Sequence, residues 1–165
     1  MITIPENFAE ESKIWIYQSD RKLTDSELSD LKLKLTSFAA NWVSHNNQLK
    51  AFATIYLNQI MVLMVDETQA SASGCSIDSS VAFVKKMGQQ LEIDFFNRWN
   101  FLFLDSEKNI QAISKNQIQH AFNQGIINLD TPFIDPLVKN LSEFKEGFIK
   151  ALKDSWHKNF LDVEN

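Results

Sequence analysis

The chain is poor in the two residues that punctuate backbones: four glycines and three prolines in 165 residues, against average usage of about 12% for the pair. That scarcity argues against a turn-dense sandwich or barrel and against glycine-rich phosphate loops. No GxxxxGK[ST] run occurs, which removes the usual cradle for nucleotide phosphates and excludes a P-loop ATPase. GxGxxG, HExxH and GxSxG are absent as well. A single cysteine, Cys75, excludes an internal disulfide and a cysteine-cluster metal site. The longest apolar run, Ile60 to Val65, is far too short to span a bilayer. Basic residues are also in deficit: 16 Lys and Arg against 21 Asp and Glu give a net charge of −5. With no basic stripe to replace condensed counterions, a nucleic-acid partner is not expected.

What the chain does have is apolar bulk. Hydrophobic residues make up 44% of it, and 13 of its 19 aromatic residues are Phe, enough to build a core and to exclude a disordered chain. Met1 to Ser12 contains Pro5, Glu6, Glu10 and Glu11 and matches neither a secretory signal nor a transit peptide. The expectation is a cytoplasmic, soluble protein without membrane association or cofactor.

Lys13 to Gln18, β-branched and aromatic, reads as a strand. Thr24 and Glu27 then form a capping box, Leu23 and Leu28 a hydrophobic staple, and Leu28, Leu31, Leu35, Phe38 and Trp42 one helical stripe ended by His45, Asn46 and Asn47. Ala51 to Leu57 and Ile60 to Val65 read as a hairpin turning at Asn58-Gln59, with the second run a central strand. After the loop Asp66 to Ser76, a helix capped by Ser76 or Asp78 carries Val81, Val84, Met87, Gly88 and Leu91. Phe101 to Leu104 supplies the next strand. The order β-α-β-β-α-β is that of ferredoxin-like domains. Asn109 to Ile113 pairs with Phe101 to Leu104, Ser114 and Gln117 form a second capping box, and Gly125 closes that helix in a left-handed cap. A final amphipathic helix carries Leu141, Phe144, Phe148, Ala151, Leu152 and Trp156. The expectation is a single α+β domain over residues 1–165: an antiparallel ferredoxin-like core at about 13–105 with a C-terminal β-α-α attachment at about 106–165.

One constellation is singled out for function: Ser73, Gly74, Cys75, Ser76 and Asp78, between a central strand and a helix N-terminus. Free N–H groups and the helix dipole there stabilise anions and lower a thiol's pKa, and Gly74 permits positive φ or close approach of a ligand. The neighbouring carboxylates Asp66, Glu67 and Asp78 oppose a thiolate, and the nearest cations in sequence are Lys50 before it and Lys85 after it. The leading expectation is a non-catalytic interaction or regulatory protein that binds a protein or small ligand through Asp66, Glu67, Ser73, Gly74, Ser76 and Asp78. The alternative is an enzyme with Cys75 as nucleophile, Ser73 and the helix N-terminus as oxyanion donors, and His45 or a carboxylate as base. A Cys75 without function packs as a small buried hydrophobe. Asp66, Glu67 and Asp78 also have the oxygen chemistry of a hard-cation site. The three histidines, His45, His120 and His157, lack metal-ligand spacing and read as surface or half-buried helical residues. His45 and His157 stand near helix C-termini, where the dipole favours a charged ring.

The segments WIYQSDRKLTDSE, VDETQASASGCSIDSSV and SWHKNFL resemble a bacterial family without an assigned activity, some members of which carry an "ABC transporter ATPase" label. The resemblance spans nearly the whole chain. AISKNQIQHAFNQGIINLDTPFI, within Asn109 to Val138, resembles the strand, capped helix and glycine of GYF-like modules, which bind proline-rich peptides. The Gly-Tyr-Phe signature is missing here, so the resemblance implies a compact β-β-α adapter shape.

Overall fold

A computed structural model describes residues 4–162; the first three residues of the Met1 to Ser12 segment lie outside it. The chain is a mixed α and β structure with antiparallel sheets, and it divides into two compact units. The first comprises residues 1–96 and 136–145, the second residues 97–135 and 146–165.

In the first unit β1 (Lys13–Gln18) leads through a short loop to α1 (Asp25–Asn41). Both halves of the capping box at Thr24 form: Glu27 N–H donates to Thr24 Oγ1 and Thr24 N–H to Glu27 Oε2. A two-strand ribbon, β2 (Val43–Ser44) and β3 (Asn47–Gln48), follows. Its turn residues His45 and Asn46 both take positive φ, 48° and 63°, as the right-handed twist of a tight hairpin requires. His45 therefore sits on a turn and not at a helix end. Next come β4 (Lys50–Tyr56) and β5 (Ile60–Asp66), paired from Lys50 opposite Asp66 to Tyr56 opposite Ile60. The turn between them is centred on Leu57 and Asn58, with φ of 50° and 60°, one residue earlier than the sequence suggests, and Gln59 N–H closes it onto Tyr56 O at 3.0 Å.

The strand order β1-β5-β4 places β5 in the middle, and every residue of it is buried, which explains its unbroken apolarity. β1-α1-β4 is thus a split β-α-β unit with β5 inserted. The fourth strand of the expected ferredoxin-like sheet is not here, because Phe101–Leu104 pairs in the second unit. The outer edge of β1 is instead met by residues 139–142: Ile14 N–H donates to Lys139 O and Leu141 N–H to Ser12 O. α2 (Gly74–Leu91) completes this unit. Its Val84 and Met87 join Leu31, Leu35, Trp42, Leu63 and Phe95 in one core.

The second unit is built on β6 (Asn100–Leu104), β7 (Ile110–Ser114), α3 (Ile118–Asn123), β8 (Pro132–Ile134) and β9 (Ile149–Ala151), with sheet order β7-β6-β8-β9. The β6–β7 hairpin and the left-handed Gly125, φ 70°, fall where the sequence puts them. Ser114 does not cap a backbone N–H; its hydroxyl donates to Gln117 Oε1 instead. The long C-terminal helix does not form. A short α4 (Leu141–Gly147) is followed by β9 and two 3-10 turns, Leu152–Asp154 and Trp156–Phe160. The hydrogen bonds of β9 go to β8, with Phe133 opposite Lys150. His157, expected to be exposed or half-buried on a helix, is wholly buried.

Candidate functional site

Ser73 begins α2. Its side chain accepts from Ser76 N–H at 3.2 Å, and the Ser76 hydroxyl donates back to Ser73 O at 2.8 Å. The cap is therefore Ser73, and Ser76 and Asp78 lie inside the helix. Serine suits this place because its short hydroxyl satisfies a donor the first turn leaves unpaired. Ser76 is buried, and its carbonyl accepts from the Trp42 indole N–H at 2.8 Å. That bond ties the first turn of α2 to the end of α1. Gly74 and Cys75 follow the cap directly, and among the described residues nothing accepts from their N–H groups.

Cys75 is exposed, not packed as a small hydrophobe. It lines a groove of about 530 Å³ together with Phe38, Trp42, His45, Asn46, Ser73, Ser76 and Ser79. One wall comes from α2, one from the end of α1, and one from the β2–β3 turn. Phe38 stacks on Phe83 with ring centroids 4.4 Å apart and lies 5.0 Å from the Trp42 ring, so the aromatic wall is fixed by packing within the unit. No lysine, arginine, aspartate or glutamate lines the groove. The structure thus brings His45 to the same groove as Cys75, across thirty positions of sequence.

The acidic residues go elsewhere. Asp66 is buried, accepting from Lys50 Nζ at 2.7 Å, Thr68 N–H at 3.0 Å and Ala9 N–H at 3.2 Å. The Lys50 ammonium, followed by these N–H donors, holds its carboxyl well below the usual range against the opposing effect of burial. Glu67 accepts from Ala72 N–H at 2.8 Å and pairs with Lys13 at 3.0 Å, fixing the loop that precedes Ser73. Asp78 is exposed and is not among the groove residues. Among the described residues no group of three His, Cys, Asp or Glu side chains is placed to hold a metal. Gly74 does not use positive φ, and a Cβ added there would meet nothing within 4 Å. Its value is open space beside two free N–H groups.

Phe38 and Asn46 escape a sequence reading of the site. The polar doublet His45-Asn46 between Val43-Ser44 and Asn47-Gln48 is a hairpin signal that reads equally well as the fraying end of a helix. No helix of the described residues is long and apolar enough to cross a membrane. No family model, curated protein or solved structure matches the chain.

Proposed function

We propose that the chain is a non-catalytic cytoplasmic interaction or regulatory protein that binds a protein or small ligand at the groove around Cys75. One observation carries the reading: an exposed Cys75 and the unpaired N–H groups of Gly74 and Cys75 open onto a groove walled by Phe38, Trp42 and His45. Free backbone donors at a helix start favour a ligand with carbonyl, carboxylate or phosphate oxygens, and the aromatic wall favours an apolar group beside them. The first unit serves as a rigid platform, its three strands keeping the split β-α-β part of the ferredoxin-like plan. From the GYF-like resemblance the reading takes only a compact adapter shape for the second unit.

The enzyme reading draws on the shared groove of Cys75 and His45. In it Cys75 is the nucleophile, His45 the base, and the Gly74 and Cys75 N–H groups the oxyanion donors. Ser73 Oγ accepts from Ser76 N–H as the cap and donates to Ser76 Oγ at 3.3 Å, so a role as oxyanion donor would require its hydroxyl to turn from Ser76. Alkylation of the native protein with iodoacetamide across pH separates the two readings. The binding reading expects Cys75 to react with the rate and pH profile of an ordinary exposed thiol. Fast reaction below neutral pH, slowed by His45→Asn, would replace it with the enzyme reading.

A further inference from the structure

The second unit holds another groove, of about 480 Å³, between the outer edge of β7 and α3. Ile113, Ala121 and Ile126 give it an apolar lining, and Ile126 is 65% exposed for an isoleucine that touches a cavity. Asp105 is its one carboxylate, and no lysine or arginine lines it; His120 is the only other titratable lining residue.

β7 is an edge strand: among the described residues it is next to β6 alone. The bonds that flank its ladder, Lys115 N–H to Trp99 O and Asp105 N–H to Asn109 O, set which residues face β6. Every second residue bonds across an antiparallel pair, so Gln111 and Ile113 bond to β6, and Ile110, Ala112 and Ser114 turn their backbone groups outward. Ala112 is exposed and borders the groove, and no bond to its N–H or C=O exists among the described residues. An unpaired edge beside an apolar cavity is what an added strand requires: main-chain bonds along the edge and a pocket for alternate side chains.

Charge selects the occupant. Asp105 Oδ1 accepts from the N–H groups of Glu107 and Asn109, both at 2.9 Å, and Oδ2 from Gln111 Nε2 at 2.8 Å. The carboxylate is held in place with acceptor capacity left on Oδ2. We propose that an extended peptide segment of a partner protein adds as a strand to the outer edge of β7. It sets an aliphatic side chain in the groove at Ile113, Ala121 and Ile126 and, two residues on, a lysine or arginine at Asp105. This site is separate from the groove around Cys75.

The probe is a short synthetic peptide alternating threonine with lysine, isoleucine and valine, so that the three non-threonine side chains share one face. It is titrated into the full ¹⁵N-labelled chain. The expected result is saturable shifts at Ile110, Ala112, Ser114, Asp105 and Ile126. Ala112→Pro removes an outward N–H without removing a bond to β6, and we expect it to weaken binding at least tenfold. Should that variant fail to fold, the same peptide with glutamate in place of lysine, tested on the unaltered protein, must also bind at least tenfold more weakly. No saturable shift, shifts centred away from β7, equal binding of the glutamate peptide, or self-association of the chain through β7 without peptide would each overturn the proposal.

Discussion

Ser155 Oγ and His157 Nδ1 lie 2.6 Å apart in the interior of the second unit, and His157 Nε2 has no hydrogen-bond partner among the described residues. The imidazole stacks on Trp156 at 4.0 Å and meets the rings of Phe101 and Phe133 at 4.7 and 5.0 Å. Among the described residues a ring so placed has only the Ser155 hydroxyl to solvate a positive charge. Burial pushes its pKa down to about 4; Asp135 opposes this and Lys150 adds to it.

The depressed pKa fixes the pH dependence. The unfolded chain binds the His157 proton near pH 6.5 and the folded chain only near pH 4. Stability from the neutral ring is therefore complete above about pH 6.5 and is lost as pH falls through the window between those values. The loss is on the order of 3 kcal/mol. Urea unfolding at pH 7.5 and pH 4.8 reads most of it, at a pH where the Asp66 and Glu27 carboxyls of the unfolded chain, with ordinary values of 3.8 and 4.5, are still mostly ionised. His157→Gln is expected to lower stability at pH 7.5 and to flatten the slope between the two conditions. An unchanged slope would place the imidazole in contact with water.

Asp66→Ala is expected to destabilise the first unit by about 3 kcal/mol, because it leaves the Lys50 ammonium and the Ala9 and Thr68 N–H groups without their shared acceptor. The check is the midpoint of denaturant unfolding at pH 7. Ligand capture by the groove around Cys75 should persist in whatever fraction remains folded.

Two glycines of α2 behave oppositely. A Cβ on Gly88 would stand 2.6 Å from the Ile93 carbonyl oxygen, whereas one on Gly74 meets nothing. Gly88→Ala should cost about 2 kcal/mol, in the range of overpacked sites. Gly74→Ala should leave thermal stability within about 0.5 kcal/mol of the unaltered protein. A reversal of that order in thermal melts would contradict the packing described for α2.

Thr24→Ala should cost about 1 kcal/mol by removing the acceptor of Glu27 N–H. Glu27 is also held by a two-pronged contact from Arg21 at 2.8 and 2.9 Å. Loss of the cap should therefore appear as faster amide exchange in the first turn of α1 without loss of the helix.

Local signals carried most of the elements. β1, the Thr24 box, the β4–β5 hairpin, the β6–β7 pair and Gly125 each depend on a few adjacent residues, and each is in place. Pairing over distance was not legible. Phe101–Leu104 has the pattern of a strand in either sheet, and nothing within it says that β7 and β8 will be its neighbours. Leu141, Phe144, Phe148, Leu152 and Trp156 have helical spacing, yet Ile149–Ala151 is drawn into a sheet by β8, a tertiary choice that overrides local preference. At the site, the residue types place a helix start near Ser76 or Asp78, and the cap is Ser73, a few residues earlier. Asp66 and Glu67 stand in the expected binding set because their partners Lys50 and Lys13 are distant in sequence and adjacent only once β1, β4 and β5 pair.

The central claim, that a partner seats in the groove around Cys75, is tested most directly by cross-linking from Cys75 itself. A benzophenone attached to this thiol, in an extract of the cells that express the chain, is compared with the same group on Ser106→Cys in a Cys75→Ser background, at an exposed turn of the second unit. The account predicts one saturable adduct from position 75 that is absent from position 106 and lost in Gly74→Val. The same adducts from both positions, or an adduct at 75 indifferent to Gly74→Val, would contradict it.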